Sequence, residues 1–177
     1  IVLNTPFCLL HSINSNKLME YEYFNVDELD PNFSEVKSSS IDSIFSKKNI
    51  VIIIMESLSK EFVGHYNDHN LTPFLDSLIS HSLVFNNTFS NGLRSIEALP
   101  AITASIPTLS NTPFITSTYA QNDFNSLASI LSDEGYSTSF FHGGTRGTMG
   151  FYGFVKKAGF ENYFGLEEYD NYKDYDG

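Results

Sequence analysis

Four residues of this sequence have side chains and spacing that could do chemistry: Glu56, the adjacent pair Arg94-Ser95, and His142. Together a carboxylate, a hydroxyl and an imidazole fit metal-assisted phosphoryl transfer. A divalent cation held by Glu56 would polarise phosphoryl oxygens and lower the pKa of the Ser95 hydroxyl, the candidate nucleophile. Arg94 could grip a phosphate in bidentate fashion. His142 would bind substrate or protonate the leaving group. Each residue also has a plainer reading. Glu56 can be a solvated acid at a strand end, and Arg94 a surface cation. Ser95 can be no more than a helix N-cap, worth about 1 kcal/mol. Two protein ligands, Glu56 and Ser95, do not complete a metal site, so the chemistry needs at least one further pair.

The elements that must position these residues start at Asn49. Ile50-Val51-Ile52-Ile53-Ile54-Met55 is an apolar run without alternation, which predicts a strand covered on both faces and ending at Glu56. Ligands in open α/β sheets lie beyond the carboxyl ends of the strands. Thr72-Pro73 predicts a helix start, with Phe74, Leu75, Leu78 and Ile79 on one face to about Ser82. Leu83-Val84-Phe85 and the residues to Phe89 read as a second strand, and 90–94 as a turn. A helix opens at Ser95, where free N–H groups and the macrodipole favour an anion. Pro100 should bend it. Residues 105–122 read as a long loop beside the site.

Asp123 is expected to cap the next helix, which Gly135 stops. Tyr136 to Phe141 is a predicted strand running into His142-Gly143-Gly144, and a last helix runs from about Gly147 to Lys157, ended by Gly159. Strand and helix in alternation predict an α/β fold with a mainly parallel sheet. Residues 1–48 show little periodicity beyond a short aromatic strand at Tyr21 to Phe24 and a Ser38-Ser39-Ser40 linker, and are expected to be a lead-in that packs on the domain.

The composition narrows the function. With 177 residues, 41 % hydrophobic, 16 Phe and 10 Tyr, the chain has material for a packed core. A net charge of −11 leaves no basic stripe for nucleic acid. The single cysteine, Cys8, rules out an intrachain disulfide and a cysteine-built zinc site. No stretch reaches the roughly 20 apolar residues of a membrane span. Since the chain opens at Ile1, any signal or anchor segment is expected upstream. Other motifs are weaker. Ser57-Leu58-Ser59-Lys60 lacks the partner motifs of penicillin-recognising enzymes, His65, Asp68 and His69 sit in a polar loop, and the glycine-rich residues 143–147 lack a P-loop lysine.

Residues 49–57 (NIVIIIMES), 71–76 (LTPFLD), 90–99 (SNGLRSIEAL) and 140–144 (FFHGG), in that order, resemble the lipoteichoic acid synthase-like phosphoglycerol transferases of the sulfatase fold, in the alkaline phosphatase superfamily. Asn4-Thr5-Pro6-Phe7 resembles the segment that joins the family's membrane helices to its outer domain. The resemblance implies an α/β/α sandwich, truncated here, with 49–177 as the N-terminal part of the catalytic domain. It implies that Glu56 is a metal ligand, Ser95 both nucleophile and metal ligand (usually threonine in this family), Arg94 a substrate-binding residue, and His142 a catalytic and substrate-binding one.

The metal implied is divalent, manganese first, with magnesium or zinc as alternatives. The implied partners are a lipid-linked phospho-group donor and an envelope lipid or glycan acceptor, met outside the cytoplasm at the cell membrane. The alternatives are a phosphatase, phosphodiesterase or sulfatase-type hydrolase, or a non-catalytic domain of the same fold. The sequence departs from the family in two ways. Met149 and Phe151 stand near where synthases carry a Trp and an Arg that bind phosphoglycerol. The family's remaining metal ligands, an Asp-His pair, are expected beyond Gly177, so that this stretch alone would lack activity and a tightly held cation and could self-associate edge to edge. Ser95-Ile96-Glu97-Ala98-Leu99 lacks the C/S-x-P-x-R of true sulfatases.

Overall fold

The computed structural model describes residues 20–32 and 46–169, with Pro6, Leu10 and Leu18. The chain divides into two compact units, Glu20–Asn87 and Ile1–Met19 with Thr88–Gly177. The expected Ser38-Ser39-Ser40 linker lies outside the described residues. Among these, no helix is long and apolar enough to cross a membrane.

In the unit of Glu20–Asn87 the α-helices among the described residues are α1, Val26–Asn32, and α2, Pro73–Ser80. The second starts as expected, with Thr72 at the cap and proline at the first position, where a missing N–H costs nothing. Thr72 Oγ1 accepts from Gly64 N (3.0 Å), and Asp76 Oδ1 from His65 N (2.9 Å), tying the helix to the preceding loop.

The two strands predicted here do not form. Residues 46–55 make no ladder among the described residues, and Val51 and Ile53 are 81 % and 78 % exposed. Strand preference of β-branched residues is mostly packing against neighbours, and without a paired strand it fixes nothing. Leu83, Phe85 and Phe89 are likewise exposed and unladdered. Tyr21 and Tyr23 form no strand either; their rings stack at 5.3 Å. Glu56 therefore lies in a turn, with Ser57 in the left-handed region (φ 55°) after it, not at a strand end.

The unit containing Thr88–Gly177 holds α3, Ser95–Ala104; α4, Leu127–Asp133; β1, Ser139–Phe141; α5, Phe151–Lys157; and β2, Asn162–Phe164. The strands pair in parallel, with Phe140 opposite Tyr163 and Phe141 opposite Phe164, and α5 lies between them in sequence. β2 has no counterpart in the sequence reading, because three residues are too few for a period. Glycines one residue past the C-cap end both late helices as expected: Gly135 and Gly159 have φ of 80° and 85°, conformations that a Cβ disfavours.

The cap of α4 is Ser126 rather than Asp123. Ser126 Oγ accepts from Ser129 N (3.1 Å) while Ser129 Oγ accepts from Ser126 N (2.9 Å). Asp123 lies three residues too early and takes Lys157 Nζ instead, at 2.8 Å. Leu99, Phe151, Phe154, Val155, Ala158 and Tyr163 form the core, with Ile96, Phe114, Phe124 and Phe140 packed on it. Removing such side chains from water is the main stabilising term of the unit.

Candidate active site

Ser95 is the first residue of α3, so the positive end of the helix dipole falls on it. The turn before it is organised by Glu97, the third residue of the helix and 7 % exposed. Its Oε2 accepts from Leu93 N (2.8 Å) and Arg94 N (3.2 Å), and its Oε1 from Arg94 Nε (2.9 Å) and Arg94 Nη2. This is the glutamate half of a capping box with arginine at the cap. The Arg94 guanidinium, and then the Leu93 N–H, hold the Glu97 carboxyl below the ordinary glutamate range. Space is made by Gly92, where a Cβ would meet Glu97 Cβ at 2.6 Å. Arg94 thus spends two of its nitrogens on Glu97 while its side chain stays 55 % exposed.

His142 follows β1, and its N–H extends the ladder by donating to Phe164 O at 2.8 Å. Alternation along a strand puts residues 140 and 142 on one face, and register puts Tyr163 opposite Phe140 on that face. Tyr163 Oη accordingly reaches His142 Nδ1, at 3.4 Å. The imidazole is half-buried, edge-on to the Phe151 ring with centroids 5.0 Å apart. Burial pushes its pKa below the ordinary histidine value, so the ring is neutral at pH 7. A Cβ at Gly144 would meet His142 Cε1 at 2.7 Å, so only glycine leaves the ring its place.

The loop after His142 is clamped to the turn after β2. Arg146 N donates to Glu167 Oε1 and Oε2 (3.0 and 3.1 Å), the Arg146 guanidinium pairs with Glu168, and Leu166 N donates to Gly144 O (3.0 Å). Ser95 and His142 hang on one core. Ile96 and Leu99 of α3 pack in the cluster that includes Phe151 and Tyr163, the rings that flank His142.

Of the four residues singled out by type and spacing, Arg94, Ser95 and His142 share a unit, and Glu56 belongs to the other. Glu56 is exposed and accepts from Ser57 Oγ at 3.4 Å. Among the described residues no group of three or more His, Cys, Asp or Glu side chains could hold a metal ion. Glu56 and Ser95 fall in different units, and the described residues do not complete a metal site. Glu97 was not singled out by sequence. A glutamate three residues into a helix is the signal, but arginine at the cap hides the box.

The sulfatase family model matches residues 48–177. Phosphoglycerol transferase I of Salmonella choleraesuis (strain SC-B67) is 30 % identical over 149 residues, which are 78 % of this chain and 19 % of that protein. The chain thus spans about a fifth of the length of that curated relative. A protein of the alkaline phosphatase superfamily from Vibrio parahaemolyticus superposes with a TM-score of 0.56 at 27 % identity, over 62 % of this chain and 27 % of that one. The lipoteichoic acid synthase LtaP from Listeria monocytogenes shares the fold, with a TM-score of 0.53 at 20 % identity, over 58 % of this chain and 25 % of its own. The α/β fold with parallel strands expected from sequence is the fold of these structures. The chain belongs to the sulfatase family, within the alkaline phosphatase superfamily.

Proposed function

We propose that this chain carries the nucleophile of a phosphoglycerol, or related phospho-group, transferase. The observation that supports it most is the setting of Ser95, which opens α3 directly after an arginine held by the buried Glu97. In this reading the Ser95 oxygen attacks the phosphorus of a lipid-linked donor. A phosphorus–oxygen bond forms to Ser95, which gives up its hydroxyl proton, the bond to the donor alcohol breaks, and the proton ends on that alcohol. An acceptor hydroxyl on an envelope lipid or glycan then attacks the phospho-Ser95, gives up its proton and restores the serine. The helix dipole favours the negative charge that accumulates at Ser95. In this reading Arg94, whose side chain is half exposed, meets phosphoryl oxygens as well as Glu97. His142, neutral and backed by aromatic rings, contacts the substrate.

A divalent cation, manganese in the first instance, belongs to the same proposal, on the likeness to the family. When bound it would supply charge to the phosphoryl oxygens. The site of action is the outer face of the cell membrane. These assignments rest on the likeness to phosphoglycerol transferase I and on the family.

Turnover of a phosphoglycerol donor by the full-length protein tests the reading. Ser95→Ala should lose activity by about a thousandfold or more, as loss of a covalent nucleophile does. Ser95→Thr should retain a measurable share, because threonine supplies the same hydroxyl. A Ser95→Ala protein as active as the parent would remove Ser95 from the reaction. Release of free phosphoglycerol without any acceptor product would make water the acceptor and the protein a hydrolase.

A further inference from the structure

Resting on the reading that His142 contacts the phosphoryl group, we infer that Tyr163 is a positioning residue whose hydroxyl donates to His142 Nδ1. It thereby holds the ring as the tautomer with its proton on Nε2. His142 then acts as a neutral hydrogen-bond donor to a phosphoryl oxygen and not as the acid that protonates the leaving group.

The geometry carries this. Tyr163 is 6 % exposed, in the core, and its ring is fixed by Phe140 stacked at 5.7 Å and by Tyr152 edge-on at 5.2 Å. Its hydroxyl can therefore point in few directions, and it points at Nδ1, at 3.4 Å. Such contacts are often long before substrate binds and tighten afterwards. Gly144 leaves the imidazole this place, since a Cβ there would lie 2.7 Å from Cε1 and 3.2 Å from Nδ1. The ring is thus held between Phe151 and Tyr163.

The protonation of the pair follows from its surroundings. Burial, then the charges of Glu167 and Glu168, raise the Tyr163 pKa against a smaller opposing effect of Arg146, so the hydroxyl keeps its proton. Burial lowers the His142 pKa. A protonated phenol beside a neutral imidazole leaves Nδ1 to accept and Nε2 to carry the proton. Losing that proton would require an imidazolate, which is inaccessible in this pH range. The group can donate a hydrogen bond but is a poor source of a proton.

The test is the nitrogen-15 spectrum of the histidine rings of the intact protein, with His142 assigned by the signal that vanishes in His142→Ala. At pH 7.5 the Nε2–H tautomer should predominate by about tenfold, and Tyr163→Phe should lower that ratio by about twofold or more while the circular dichroism spectrum is unchanged. Predominance of Nδ1–H in the parent would overturn the inference without any variant, and so decides the matter even if Tyr163→Phe does not fold. An unchanged tautomer ratio in folded Tyr163→Phe would also overturn it. Titration with inorganic phosphate separates this result from the underlying reading. His142→Ala should weaken binding about tenfold, and His142→Gln, which keeps a neutral N–H donor, should recover most of it. If alanine has no effect, His142 is no substrate contact, whatever its tautomer. If glutamine is as weak as alanine, the neutral-donor role fails.

Discussion

Glu97 accepts a hydrogen bond from Arg94 Nε at 2.9 Å, so the residue beside the candidate nucleophile is held from inside the helix that the nucleophile begins. The same carboxylate takes the backbone N–H groups of Leu93 and Arg94. One buried acid thus shapes the turn and neutralises part of the guanidinium charge. Glu97→Gln should lower phospho-transfer by about a hundredfold, the scale on which small displacements act, while leaving the protein folded. Measured kcat/KM of the full-length variant checks this.

The acid pH dependence of stability follows from the same contacts. The folded pKa of Glu97 lies below its ordinary value near 4.5, held there first by the Arg94 guanidinium. Its contribution is therefore complete above that ordinary value and is lost as pH falls through the lower, folded one. The difference in thermal midpoint between the parent and Glu97→Gln should be largest near neutral pH and shrink on acidification below about pH 4. Melting curves over that range should show it, and a difference that grows towards acid would contradict the assignment.

Two glycines of the His142 loop make a matched pair. A Cβ at Gly144 would lie 2.7 Å from His142 Cε1, whereas at Gly147 the nearest atom, Thr145 Oγ1, is 4.0 Å away. Gly144→Ala should cost about 1–3 kcal/mol of stability through overpacking and displace the ring, with a loss of activity. Gly147 has φ −75°, which alanine adopts without strain. Gly147→Ala should change stability by no more than about 1 kcal/mol, and in the stabilising sense. Denaturant unfolding of both variants is the measurement.

The core makes a further comparison. Phe154, 5 % exposed, stacks on Phe124 at 5.6 Å and meets Phe114 edge-on at 6.3 Å. Phe154→Ala should cost about 3–5 kcal/mol. Phe141, on the opposite face of β1 and 72 % exposed, should cost no more than about 1 kcal/mol.

The sequence was most legible where local rules act alone. Proline at the start of α2, the helix from Ser95, and the glycine stops at Gly135 and Gly159 depend on a few neighbouring dihedrals and are where they were expected. The run of residues 50–55 was misleading, because a strand is a relation between two segments and β-branching describes only one of them. Asp123 failed as a cap since a better reciprocal pair, Ser126 and Ser129, lay three residues on. His142 was visible by type, but Tyr163 was not. The two are 21 positions apart and meet only through the register of β1 and β2. Glu97 was hidden by an arginine at the cap position.

The central claim, that Ser95 accepts the phospho group, is tested most directly by trapping it. The full-length protein is mixed with a phosphoglycerol donor, quenched in acid within the first turnover, digested, and the peptide containing Ser95 weighed by mass spectrometry. The account predicts a phosphoglycerol adduct on Ser95 that forms before product, disappears when an acceptor is added, and is absent from Ser95→Ala. Product formation at the parent rate with Ser95 unmodified throughout, or an adduct on another residue that persists in Ser95→Ala, would contradict it.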